Sequence, residues 1–140
     1  ITMTNVETGI SKTEFYKNLV TDVGKASMAA ALRGATLNDQ GIITYFAVGT
    51  SAVAPDAGNT TLTTEIFRKL VSVRSSSDNE ALFETYLTTA EGNGTLREAG
   101  LFGDDASATA DSGTLFCHAA INRVKTSSDT LIAAWTVTIG

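Results

Sequence analysis

Leu131-Ile132-Ala133-Ala134-Trp135-Thr136-Val137-Thr138-Ile139 is the stretch that decides the fold class. Leu131, Ala133, Trp135, Val137 and Ile139 fall on one side of an extended chain, and Ile132, Ala134, Thr136 and Thr138 on the other. Successive side chains of a strand point to opposite faces, so this pattern predicts a strand with one face on a core. Trp135, on the apolar side, is read as core filling rather than as part of a sugar-binding platform with Tyr45 and Tyr86.

Moving upstream, Thr126 to Asp129 reads as a turn. Before it, Leu115, Cys117, Ala119 and Ile121 alternate with Phe116, His118, Ala120 and Asn122. Residues 103–112, rich in Asp, Ala, Ser and Thr, predict a solvated loop. Ala81, Phe83, Thr85 and Leu87 alternate in another strand, and 66–75 reads as its hairpin partner across the turn at 75–79. Ile42 to Val48 is β-branched and aromatic and predicts a further strand. The loop 49–61 follows it and carries the single proline, Pro55. Short strands with frequent turn signals predict a mainly β chain, an antiparallel β-sandwich or barrel-like domain.

One predicted strand carries charge at its centre: Thr95-Leu96-Arg97-Glu98-Ala99-Gly100-Leu101-Phe102. By parity Leu96 and Phe102 share a face and Leu101 joins Arg97 on the other. A bulge at Gly100 would reset that alternation. We expect the bulge, with Arg97 tied to an acidic residue of a neighbouring strand or subunit. Glu65-Ile66-Phe67-Arg68-Lys69 has the same mixture and is expected nearby.

The first 40 residues read differently. Ser11-Lys12-Thr13-Glu14 has the form of a capping box, with Ile10 and Phe15 as a staple. It predicts one α-helix over 12–33, ending at Gly34, after an extended arm. Phe15, Leu19 and Val23 recur on one face, with Met28 and Leu32 close to it. These five are the expected oligomer or partner contacts. The expected division is an arm-and-helix segment, 1–40, and a β-domain, 41–140, with the boundary in 34–41.

The composition narrows function. The chain has 140 residues, 43% hydrophobic and 18% charged, and a net charge of −5. That suits a single globular domain and disfavours nucleic acid, which needs a concentrated basic surface. No apolar run approaches the ~20 residues that span a membrane, so no membrane partner is expected. The single cysteine, Cys117, and single histidine, His118, are neighbours in the sequence and point to opposite faces of a strand, so they form no catalytic dyad. The expectation is a buried thiol and a surface or interface histidine. Asp104, Asp105 and Asp111 lack the spacing of a calcium loop. Glu84, Glu91 and Glu98 are expected to be ordinary carboxylates rather than a glycosidase pair. No catalytic residue, cofactor or metal is predicted, and the chain is not expected to be an enzyme.

Several stretches in order carry a family likeness: Ile43-Thr44-Tyr45-Phe46-Ala47-Val48-Gly49-Thr50, Ala54-Pro55, Thr61-Leu62, Glu65-Ile66-Phe67-Arg68-Lys69 and Gly94 to Phe102. Together with the ending Lys125 to Ile139, they resemble bacteriophage tail-collar and tail-fibre attachment proteins over about 41–140. In that type an aromatic-Ala-Val-Gly strand precedes an Arg-Glu-x-Gly-Leu-Phe/Tyr strand. Arg68, Arg97, Glu98, Gly100 and Phe102 are the signature positions. The resemblance implies a virion structural protein of a tail, collar, baseplate or fibre, made in the host cytoplasm. It implies assembly as a homo-oligomer, a trimer or ring, with other virion structural proteins as partners. The alternatives are a capsid decoration protein, a receptor-recognition module for a host-surface glycan, and a small carboxylate-using hydrolase.

Overall fold

The computed structural model describes residues 1–34 and 40–140. In chain order the elements are β1 (Thr2–Asn5), β2 (Ser11–Thr13), β3 (Asn18–Val20), α1 (Asp22–Leu32), β4 (Ile43–Gly49), β5 (Glu65–Leu70), β6 (Val73–Ser77), β7 (Glu80–Leu87), β8 (Gly94–Gly103), β9 (Thr114–Lys125) and β10 (Asp129–Thr138). They form two antiparallel five-stranded sheets, β2-β1-β10-β7-β6 and β3-β9-β8-β4-β5. The sheets pack face to face as a sandwich and do not close into a barrel. Met3, Leu87, Leu131, Ala133, Trp135 and Val137 of the first sheet meet Phe46, Val48, Leu96, Leu101, Cys117 and Ile121 of the second in the main core.

The alternation of β10 is as expected as far as Val137. Ile139, expected on the inner face, lies beyond the strand end and is exposed. The expected strand 66–75 is two strands. The chain crosses between sheets at Val71 and Ser72, whose N–H groups bond to Thr44 O and Glu84 O respectively. Only β6 therefore makes the hairpin with β7.

The helix over 12–33 is corrected. Ser11–Thr13 pairs with Thr2–Thr4, and Asn18–Val20 pairs with Cys117–Ala119. The hydroxyls of Thr2 and Thr13, and of Thr4 and Ser11, bond across the β1–β2 pair at 2.7 Å. A capping box contributes about 1 kcal/mol, less than a ladder of backbone and side-chain hydrogen bonds with β-branched residues. The helix begins at Asp22, capped by Thr21, whose Oγ1 accepts from Gly24 N–H at 3.0 Å. Gly24 lets α1 lie on β9, because a Cβ there would stand 2.7 Å from the Phe116 backbone.

The division into 1–40 and 41–140 does not follow the sheets: β1 and β2 extend one sheet, and β3 flanks the other. Most of the expected boundary, residues 35–39, lies outside the described residues.

The register of β8 against β9 slips twice, between Leu96 and Glu98 and between Leu101 and Phe102. At the first slip Arg97 stands against Ile121 and Asn122, since Leu96 pairs with Arg123 and Glu98 with Ala120. The alternation of β8 is reset there, at Arg97, and not at Gly100. Leu96, Ala99 and Leu101 consequently all face the main core, while Phe102 turns to the opposite face. The expectation that Leu96 and Phe102 share a face is overturned by this slip.

A buried charged clamp on the loop-covered face

The outer face of the β3-β9-β8-β4-β5 sheet has a second core. Ala47, Leu62, Phe102 and Leu115 form it, with Tyr45 and Ala106 packed at its edge. Leu62 comes from the segment between β4 and β5, and Ala106 from the segment between β8 and β9. Both connections therefore fold over this face, and two sets of buried charges hold them there.

The first set is centred on Arg68. Its side chain and that of Glu65 are almost completely buried and meet bidentately, Nε to Oε1 at 2.6 Å and Nη2 to Oε2 at 2.7 Å. Arg68 Nη1 donates to Ser107 O and Ser112 O at 3.1 Å, and to Ser112 Oγ at 3.0 Å. The guanidinium lies 4.4 Å from the Phe102 ring centroid. Asp111 N–H donates to Glu65 Oε2 at 3.1 Å. Burial, helped by the Glu65 charge, pushes the Asp111 carboxyl above its ordinary value. One planar donor fork thus ties β5 to the 104–113 loop, a task that suits arginine and not lysine.

The second set is centred on Glu98, which is fully buried. Its carboxylate accepts from Thr63 N–H at 2.9 Å and Thr64 N–H at 2.7 Å. His118 Nε2 is 3.1 Å from Glu98 Oε2, and His118 Nδ1 is 2.8 Å from Asn59 Oδ1. Asn59 Oδ1 already accepts from Asp56 N–H, so Nδ1 must donate to it. Glu98 and His118 thus join the Thr63 and Thr64 backbone to Asn59 in one buried hydrogen-bonded network. His118 is therefore a core residue under the 50–64 loop, which corrects the expected surface or interface histidine.

Glycines make room for both sets. A Cβ at Gly49 would stand 2.5 Å from Glu98 Oε1 and 2.4 Å from Thr64 O. A Cβ at Gly100 would stand 2.8 Å from Leu115 Cδ1 and 3.0 Å from Leu62 Cδ2. Four of the five signature positions, Arg68, Glu98, Gly100 and Phe102, thus meet on one face. Arg97 does not. It is half-buried at the register slip and makes no hydrogen bond or ion pair among the described residues. The ion pair expected for it is not formed among the described residues.

The remaining candidates are dispersed. Phe15 lies between β2 and β3, Leu19 is on β3, and Val23, Met28 and Leu32 are on α1. Phe15, Leu19 and Leu32 are exposed, and Met28 is half-buried against the main core. Cys117 is buried, and burial pushes its thiol up to about 12. Glu84 is on the sheet opposite Glu98, so the two make no acid–base pair. Among the described residues no group of three metal-ligating side chains forms, and Asp104 Oδ1 instead accepts from Gly41 N–H at 2.8 Å. Trp135 is inside the sandwich, Tyr45 lies on the covered face and Tyr86 is on the outer face of the other sheet, so no aromatic platform forms.

Two further charged contacts had no sequence signal of their own. Lys125 is buried, and its Nζ donates to Thr88 O and Asn93 Oδ1, both at 2.8 Å. Glu14 accepts from Lys12, Tyr16 and Arg123, which together hold its carboxyl down at about 2.

The family model described as phage tail-collar fibre protein, N-terminal, matches residues 12–112. The match includes Asn59, Glu65, Arg68, Glu98, Ser107 and Ser112, and it reaches back over β2, β3 and α1, which the sequence resemblance had left out. No curated protein matches the chain.

Proposed function

The chain belongs to the phage tail-collar fibre protein family, and from that membership we propose that this phage tail protein is a non-enzymatic virion subunit that mediates assembly and attachment. The observation that carries the reading is how the buried charges are used. Arg68, Glu65, Glu98 and His118 all bond to backbone or to one another and hold the two loops down. They make a rigid module, and catalysis would need such groups facing an open cleft. Exposed Phe15, Leu19 and Leu32 are apolar side chains available to neighbouring subunits. The reading includes a homo-oligomer, a trimer or ring, with other tail proteins as partners. Synthesis in the host cytoplasm and incorporation into the particle complete the reading.

Labelling the chain with a short tag and imaging purified particles by cryo-electron microscopy tests it. Density at the tail, collar, baseplate or fibre base is expected. Tag density on the capsid shell would favour a decoration role, and particles without the protein would sink the virion reading. Glycan binding in solution would revive the receptor-recognition alternative.

A further inference from the structure

Lys125 is one of the largest fully buried side chains, 1% exposed. A lysine is almost never buried to that degree without a countercharge. The two carboxylates whose charge reaches it are engaged elsewhere. Glu91 Oε2 takes Lys69 Nζ at 2.7 Å and Thr88 N–H at 2.9 Å, and Asp129 Oδ2 takes the Thr126 N–H and hydroxyl at 2.9 and 2.7 Å. Lys125 Nζ bonds two neutral oxygens instead, Thr88 O and Asn93 Oδ1. Two acceptors match the two N–H bonds of a neutral amine, whereas an ammonium has three. Burial acts in the same direction, pushing the group below the ordinary lysine value against the pull of both carboxylates. A desolvated, neutral lysine amine is a nucleophile.

The group it touches is an electrophile held in place. Asn93 Nδ2 donates to Thr89 O at 2.8 Å, so the carboxamide is fixed at both ends, its oxygen on Lys125 and its nitrogen on Thr89. The pairing of Gly94 with Lys125 sets the two segments side by side. Amine and carbonyl held in contact have the proximity that amide exchange lacks in solution. Asn93 is exposed, so released ammonia can escape to water.

We propose that Lys125 and Asn93 join in an intramolecular isopeptide bond. Rotation about Cε–Nζ turns the amine lone pair onto Asn93 Cγ. The Nζ–Cγ bond forms, the Cγ–Nδ2 bond breaks, and Nδ2 leaves as ammonia with one proton taken from Nζ. No oxidant and no further reactant takes part. Strands β8 and β9 lie between residues 93 and 125, so the bond closes them into one covalent loop. It also fastens the crossing from β7 to β8, which passes from one sheet to the other, to the end of β9. The bond is independent of any role in the tail, and its failure leaves that role untouched.

The test is the mass of the intact full chain, folded and then denatured just before mass spectrometry. The expected mass is below that of the sequence by about 17 Da, one ammonia. Trypsin then yields residues 75–97 bonded to 124–140, because the acylated Lys125 is no longer cleaved. Lys125→Met and Asn93→Ser, each checked for folding by circular dichroism, carry the full mass of their sequences. The unaltered sequence mass overturns the bond. So does a gain of about 1 Da, the mark of attack on the same amide by the Gly94 backbone nitrogen, and so does an ammonia loss that persists in both variants. The wild-type mass decides by itself if a variant fails to fold.

Discussion

Replacing Glu98 by alanine should be among the most damaging single changes in this chain. It removes the acceptor of the Thr63 and Thr64 N–H groups, at 2.9 and 2.7 Å, and the charge facing His118 at 3.1 Å. Leaving a buried hydrogen-bonding group without its partner costs about 1–3 kcal/mol. Three such groups, the Thr63 and Thr64 N–H and the His118 ring, lose their partner at once, which places the cost at about 4–5 kcal/mol. Unfolding entropy of about 2.1 cal/mol/K per residue over 140 residues gives about 0.3 kcal/mol/K. The melting temperature should then fall by about 14–17 °C in calorimetry. Hydrogen exchange should speed up first at the amides of residues 59–64, since those are the groups released. His118→Ala should cost less in the Glu98→Ala background than alone, with a coupling of about 1–3 kcal/mol. A loss below about 1 kcal/mol, the range of exposed pairs, would refute the claim that this network holds the loop.

Arg68→Lys should lose about 2–4 kcal/mol in denaturant titration, since an ammonium cannot serve Glu65 bidentately and the Ser107 and Ser112 carbonyls as well; full retention of stability would contradict the fork geometry. Gly24→Ala should cost about 1–3 kcal/mol, because its methyl would meet the Phe116 backbone at 2.7 Å and push α1 off β9; a neutral result by thermal melt would show that the helix docks otherwise. The Glu14 carboxyl, held at about 2 against an ordinary 4.5, stabilises the native state fully above the ordinary value and loses that contribution as pH falls through about 2. Glu14→Gln should flatten stability between those two pH values, and an unchanged acid titration would show that the Lys12, Tyr16 and Arg123 contacts do not form.

The fold class was legible because strand alternation is local. Leu131 to Val137 declares its inner face without reference to the rest of the chain, and the turns at 78 and 126–129 mark themselves by residue type. The family was legible for a related reason: its glycines and charges recur at fixed spacing. What those signature residues do was decided only by the tertiary structure. Gly49 is small because the Glu98 carboxylate occupies the space of a side chain, and the two lie in strands far apart in sequence. His118 and Glu98 meet through a register that slips twice along β8 and β9, which no count of positions reveals. The start of the chain went the same way. A capping box at Ser11 is a local signal of about 1 kcal/mol, and pairing with β1, itself set on β10, outweighs it. Where the stabilising contacts lie within a few residues, the sequence alone determined the outcome. Where they join residues about 20 to 120 positions apart, as Glu98 does with His118 and Met3 with Arg123, only the assembled sheets could decide.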